Sequence, residues 1–281
     1  MIRPADAALL RRWIAARVRV LLRSPRATFF TFVFPVLFLV IFSALNGNTL
    51  VDAVGPAAGK VRFAQFYAPS IGIFGLTTAC YTSVIMGIST ARDNGLLKRV
   101  RGTPLPMGVY IGAWLAGAVF TGIGAVVLMF AIAVPAFGVH VYPSMLPASI
   151  VTLALGAVSL AALGLAVSTF ARTADQAQPL AQLTFLPLSF ISGVFYPLEG
   201  APHWLTTLAG VFPLKHIVEA FDACFVAGTP HAGWSGGDLL AIAVWGAVGF
   251  LVAARRFRWE PEAARRRSPM RFGLGSLTLR S

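Results

Sequence analysis

The chain has 281 residues, 57% of them hydrophobic and 12% charged, with a mean hydropathy of +0.76 and a net charge of +13. Soluble domains carry about 25% charged residues, so the composition selects a polytopic helical membrane protein and leaves no hydrophilic stretch long enough for a second folded domain. The apolar runs are continuous and do not alternate, which excludes a β-barrel, and the basic residues flank those runs instead of clustering, so they read as topology signals and not as a nucleic-acid footprint.

Residues 5–24 carry Arg12, Arg19 and Arg23 on one helical stripe and Leu10, Ile14 and Leu21 on another, with Trp13 suited to an interface. This segment is expected to lie as an amphipathic helix in the headgroup plane and to stop at Pro25. The first span is expected at about 27–46, with Pro35 as a tolerated kink. A Gly- and Pro-containing loop follows at 47–62, and the second span at about 63–90. Neither 63–91 nor 102–171 contains an Asp, Glu, Lys or Arg. Between them sits a basic interruption, 92–107, with four positive charges and one negative.

The uncharged stretch 102–171 is 70 residues long. One crossing takes about 20 residues, so the stretch is expected to hold a third span at about 108–134, a turn through Pro135–Pro143, and a fourth span at about 147–170. Arg172-Thr173-Ala174-Asp175 forms a polar turn before a fifth span at about 177–196. The region 197–237 is broken by Glu199, Lys215, Glu219 and Asp222 into apolar pieces near 15 residues, the length of re-entrant or interfacial helices. A last span at about 236–254 ends in Arg255 and Arg256, placed to snorkel, and a basic tail closes the chain.

The expected fold is therefore an all-α integral membrane protein with six transmembrane helices, an amphipathic segment at 1–26, a permease-like body at 27–256 and a basic tail at 257–281. Six crossings put both termini on one side. Of the 23 Lys and Arg, all but Lys60, Arg62 and Lys215 fall on that side, so the positive-inside rule assigns the termini and the 92–107 loop to the cytoplasm.

Several chemistries have no foothold. There is no Gly-x-x-x-x-Gly-Lys-Ser/Thr phosphate loop, no His-Glu-x-x-His and no Gly-x-Ser-x-Gly. Cys80 and Cys224 are not at metal spacing, and Cys80 reads as a small core residue. His140, His203, His216 and His231 lie in outer segments away from ligand spacing, so no metal site is expected. The spans are nearly free of the carboxylates that mark ion pathways, the five outer ones being expected in loops. What remains is a conduit or scaffold without its own energy source: a permease driven by another protein, an ATPase-independent channel or carrier, or a membrane scaffold. In the basic interruption, Gly95 and Gly102 bracket Leu96, Leu97 and Val100, interleaved with Lys98, Arg99 and Arg101. This pattern suits a short amphipathic helix that offers Leu96, Leu97 and Val100 to a partner's groove, or else a loop that only sets topology.

The run Arg92-Asp93-Asn94-Gly95-Leu96-Leu97-Lys98-Arg99-Val100-Arg101-Gly102-Thr103-Pro104-Leu105 resembles the loop after the second span in type-2 ABC exporter permeases. A second run, Phe190-Ile191-Ser192-Gly193-Val194-Phe195-Tyr196-Pro197-Leu198-Glu199, continuing through Pro202-His203-Trp204-Leu205 to Phe212-Pro213-Leu214, resembles that family's fifth span and outer helices. The bacterial drug- and antibiotic-resistance branch is the nearest in flavour.

The resemblance implies a non-enzymatic permease that pairs with a second permease subunit, as a homodimer, and with two copies of a separate phosphate-loop ATPase. It also implies no cofactor on this chain, with ATP and Mg belonging to the ATPase. The ATPase-coupling role falls on Arg92, Asp93, Asn94, Gly95, Leu96, Leu97, Lys98, Arg99 and Arg101, and the N-terminal helix matches the family's elbow helix. Where the family has Glu followed by Gly-Thr-Leu, this chain has Asp93 followed by Asn94-Gly95-Leu96, so an altered acidic cap on the coupling helix is expected. Asp222 stands where the family tends to place a basic residue. Tyr81, Phe185, Phe190 and Phe195 are the candidates for the substrate pathway, and an uncharged aromatic interior favours a hydrophobic or amphipathic cargo. The excess of Arg over Lys and the abundance of Ala and Gly fit a GC-rich bacterium and a plasma (inner) membrane.

Overall fold

The computed structural model describes residues 15, 16, 19, 23–46, 49–52, 60–102, 107–171, 173–195, 201–227 and 229–257. The expected elbow helix and basic tail lie almost entirely outside the described residues.

Lipid offers no partner for a backbone N–H or C=O, so apolar segments that cross it close their own hydrogen bonds as helices. Among the described residues, five helices are long and apolar enough to do so: α1 (Phe29–Asn46), α2 (Phe63–Asp93), α4 (Met107–Phe137), α5 (Leu146–Ser168) and α9 (Gly236–Arg256). Between α2 and α4 the chain forms the short α3 (Leu96–Arg101). The loop expected at 47–62 contains a small antiparallel ribbon, β1 (Leu50–Asp52) with β2 (Lys60–Arg62), in which Val51 faces Val61. This is the one departure from an all-α chain among the described residues.

The fifth expected span is α6 (Ala174–Ile191), which begins earlier than 177 and ends before 196. Asp175, Gln176, Gln178 and Gln182, with Pro179 and Pro187 inside the helix, make it the most polar of the long helices, and it does not reach the apolar character of the other five. At its end Gly193 adopts φ 82° and turns the chain away. α6 runs antiparallel to α2: Ala174 meets Asp93, Thr184 meets Tyr81, and Phe185 meets Phe74.

α2 occupies the centre, and every residue from Phe63 to Thr77 is buried, as expected of a helix that is apolar on all faces. Two π-helical turns interrupt the long helices. One, Phe29–Val33, precedes Pro35, whose ring nitrogen has no proton to donate to the turn before it. The other, Thr78–Thr82, lies within α2 and carries Tyr81.

Inside a bilayer, helices gain by close packing more than by escape from water. The α5–α9 seam shows how. A Cβ on Gly249 would lie 2.9 Å from the backbone nitrogen of Leu163, and one on Gly246 would lie 3.3 Å from Ser159. Gly164 similarly lets α5 rest on the backbone of Tyr81, where a Cβ would meet the carbonyl oxygen at 2.7 Å.

The region expected to hold re-entrant or interfacial pieces forms α7 (His203–Val211) and α8 (Pro213–Asp222), followed by 3-10 turns at Ala223–Phe225 and Pro230–Gly233. α8 buries Leu214, Ile217, Val218 and Phe221 on one face, with Ile217 seated on Gly156 of α5. Each such side chain contributes about 1.5–3 kcal/mol where the alternative is water. Gln65 ties this end together: its Nε2 donates to the carbonyls of His140 and Phe225, both at 2.8 Å.

Candidate functional site: a coupling segment and an apolar cavity

The basic interruption folds as three parts with different duties. Arg92 closes α2 and is only 5% exposed. Its Nη2 donates to the carbonyl of Ser168 at 3.1 Å and also to that of Ala171, so a cation sits on the carbonyl-rich end of α5. Asp93 turns the other way, and its Oδ2 accepts the backbone N–H of Ala174 at 3.0 Å. That bond caps the start of α6, where Thr173 Oγ1 also accepts from Gln176 N–H at 3.4 Å. The expectation that Asp93 caps the coupling helix is therefore corrected. The cap position of α3 is Gly95, with φ 68° and no side chain to bond with, and the acid serves α6 instead. Adjacent residues at one helix end thus clamp the C-terminus of α5 and the N-terminus of α6.

α3 follows from Gly95, whose left-handed backbone lets the chain turn between the two helices within two residues. Leu97 is fully buried and joins Ala91, Val100 and Tyr110, with Ile111, Trp114 and Phe257 packed around them. The sequence pattern suggested that Leu96, Leu97 and Val100 would all face a partner. The structure corrects this for Leu97 and Val100, which anchor α3 to α4 and to the end of α9. Leu96, 44% exposed, and the exposed Asn94 and Arg99 are the groups left on the outer face. The side chains of Lys98 and Arg101 lie outside the described residues.

Of the four pathway candidates, two share a cavity. Tyr81 and Phe185 line a space of about 520 Å³ between α2, α5, α6, the α7–α8 junction and α9. Its walls are almost wholly apolar: Leu160, Leu163 and Val167 from α5, Pro187 and Leu188 from α6, Phe212 and Trp245 at one end. Its hydroxyls are those of Thr77, which donates to the carbonyl of Ile73 at 2.7 Å, and of a pair in which Tyr81 OH donates to Thr184 Oγ1 at 2.7 Å and Thr184 donates onward to the carbonyl of Leu180 at 2.8 Å. A space of this size and lining suits a small apolar molecule with one hydrogen-bonding group.

Phe190 and Phe195 do not line it. Phe190 is exposed on α6, and Phe195 packs against Phe74 at 5.3 Å, Phe38 at 6.1 Å and Phe190 at 4.9 Å in an aromatic stack joining α1, α2 and the end of α6. Sequence reasoning missed Thr184, Phe212 and Trp245. They come from three different elements, and nothing local marks them. Trp245 Nε1 donates to the carbonyl of Val211 at 2.9 Å and its ring stacks on Phe212, which fixes that end of the cavity.

The outer carboxylates were expected in loops. Asp222 instead lies on α8 and is 2% exposed, accepting a hydrogen bond from Ser70 of α2 at 2.7 Å. Burial pushes its carboxyl well above the ordinary range, Ser70 opposing and the charge of Glu219 adding to the rise. Glu219 is also raised, first by burial, with Asp238 adding to the effect and Lys215, 3.5 Å away, opposing it. His216, expected to stand apart from any ligand set, lies with Glu219 and Asp238 in one cluster.

Comparison with known proteins agrees with this architecture. The family described as ABC-2 type transporter matches residues 9–226 of the chain. The inner membrane transport permease YadH of Escherichia coli is 27% identical over 199 residues, covering 70% of this chain and 75% of that protein, and the permease of the same name in Shigella flexneri matches to the same extent. The clamp of Arg92 and Asp93 and the α7–α8 pair both fall inside the matched stretch. The chain belongs to the ABC-2 type transporter family and is a membrane permease of an ABC transporter.

Proposed function

We propose that this chain is the permease subunit of an ATP-driven exporter in a bacterial inner membrane, with both termini cytoplasmic. It works as a homodimer with two copies of a separate phosphate-loop ATPase that carries the ATP and Mg. The cargo is a hydrophobic or amphipathic molecule, drug-, antibiotic- or lipid-like. The absence of a phosphate loop here, the distribution of Lys and Arg, and the inner-membrane character of the YadH permease support this reading.

The observation that carries it is the mechanical continuity of the 92–101 segment. Leu97 and Val100 fix α3 to α4 and α9, while Arg92 and Asp93 fix the end of α2 to α5 and α6. A push on the exposed face of α3 is therefore passed to α2, α4 and α9 by side-chain packing, and to α5 and α6 through Arg92 and Asp93. Four of them, α2, α5, α6 and α9, wall the apolar cavity. Closure of the ATPase pair on ATP would displace α3, shift these helix ends, and change access to Tyr81, Thr184 and Phe185.

The test is transport into inverted membrane vesicles with the permease and its ATPase co-expressed. Leu96→Asp with Arg99→Glu should abolish ATP-dependent uptake and weaken co-purification of the ATPase while leaving the permease folded. Leu97→Asp should instead destabilise the permease itself. Uptake that persists without ATP or without any ATPase would assign a channel or carrier; stable partner binding with no flux would assign a scaffold.

A further inference from the structure

At the end of the bundle opposite α3, side chains from two elements converge. His216 and Glu219, three residues apart, share one face of α8. Asp238 comes from the first turn of α9. One ligand-capable atom from each lies within 4.8 Å of the other two. His216 Nδ1 is 2.7 Å from Asp238 Oδ1, and its Nε2 is 2.9 Å from the carbonyl of Gly210. We propose that His216, Glu219 and Asp238 form a binding site for one first-row divalent cation of the zinc class.

Four features argue for it. The donor set, one imidazole and two carboxylates, is one that zinc accepts with water in the remaining position. The imidazole is already oriented as a ligating histidine is: Nε2 is committed to a backbone carbonyl, which leaves Nδ1 directed at the cluster. Asp238 is held from behind, since Ser235 Oγ donates to its other oxygen, Oδ2, leaving Oδ1 for the ion. The spacing is also near what an ion needs. Ligand bonds of about 2.1 Å at tetrahedral angles separate donor atoms by about 3.4 Å, so the His216–Asp238 pair, at 2.7 Å, opens by less than an ångström, and Glu219, within 4.8 Å of both, closes by at most about 1.4 Å.

The cluster is half-buried and carries two carboxylates whose charges repel each other, a repulsion a cation relieves. Lys215 competes for Glu219 from outside, at 3.5 Å, and would swing away. Bound there, the ion would join α8 to the start of α9, on the same seam that Phe212 and Trp245 hold.

The experiment is a zinc titration of the purified full chain in lipid nanodiscs after chelator treatment, with zinc X-ray absorption on the loaded wild-type protein. One ion per chain is expected, with one imidazole among light-atom ligands. His216→Gln and Asp238→Asn should each weaken binding at least about tenfold. Lys215→Met should leave binding intact or tighten it. No saturable binding up to millimolar zinc, a spectrum without an imidazole shell, or wild-type affinity in His216→Gln or Asp238→Asn would overturn the assignment. The spectrum on wild-type protein decides the matter even if a variant fails to fold.

Discussion

Replacing Arg92 with Met tests the clamp at its most exposed assumption, that a buried cation on the end of α5 holds the helix ends together. The guanidinium makes two charge-assisted hydrogen bonds, to Ser168 and Ala171, from a position almost closed to solvent. Such bonds contribute about 1.5–3 kcal/mol each; at the lower figure the pair is worth about 3 kcal/mol. Met fills much of the volume but leaves both carbonyls without that donor, so the loss should reach about 3 kcal/mol, roughly a hundredfold in the folding equilibrium. Arg92→Lys should lose about half, because an ammonium is a point charge and cannot span both carbonyls as a planar fork does. The assay is reversible unfolding in mixed micelles with increasing SDS, followed by far-ultraviolet circular dichroism. A loss in Arg92→Met below about 0.5 kcal/mol, the size of an ordinary surface substitution, would refute the clamp.

Three further outcomes follow from the packing. Tyr81→Phe should cost about 1 kcal/mol in the same assay, Thr184→Val somewhat more because it also gives up the bond to Leu180, and the double variant no more than Thr184→Val alone, since the Tyr81–Thr184 bond is already lost there. Gly249→Leu should separate α5 from α9 and sharply lower the yield of folded protein, whereas Gly236→Leu, in open space at the start of α9, should not; equal yields would remove the close-packing account. For Asp222 the carboxyl is raised in the folded state, so the folded protein holds its proton more tightly than the unfolded chain does. Stability is then highest below the ordinary carboxylate range and falls as pH rises from that range toward the raised value. Asp222→Asn, which keeps an oxygen for Ser70 to donate to, should flatten that fall, and an unchanged pH slope would count against the burial argument.

The sequence resolved the long helices well because lipid imposes one rule on every residue they contain. Uncharged runs ended where Arg92, Arg172 and Arg255 begin, and the helix ends fall close to those residues. It did less well where a residue's partner is distant in the chain. Asp93 sits three residues before α3 and looks like its cap, yet Ala174, 81 residues away, takes the bond. Leu96, Leu97 and Val100 look alike as apolar positions, and only the presence of Tyr110 and Phe257 decides which are covered. His216, Glu219 and Asp238 are spread over 22 residues and meet because α8 folds back on α9, which spacing rules cannot anticipate. α6 is a fourth case: its glutamines and prolines weaken the apolar signal while its contacts with α2 fix its course.

The π turn at Thr78–Thr82 sets the angular phase of everything beyond it. A turn that holds one extra residue rotates the following helix by about 100° relative to an unbroken one, since each residue of an α-helix advances by that angle. Residues 63–77 are thereby in phase with α1 and α8, while residues 83–93 are in phase with α3, α5 and α6. Deleting a single residue inside the turn would give a more regular helix of nearly the same length and composition. It would also swing Arg92 and Asp93 by about a quarter of a circle from the 168–174 turn. The alignment between the two ends of this permease is thus kept by one surplus residue in its central helix.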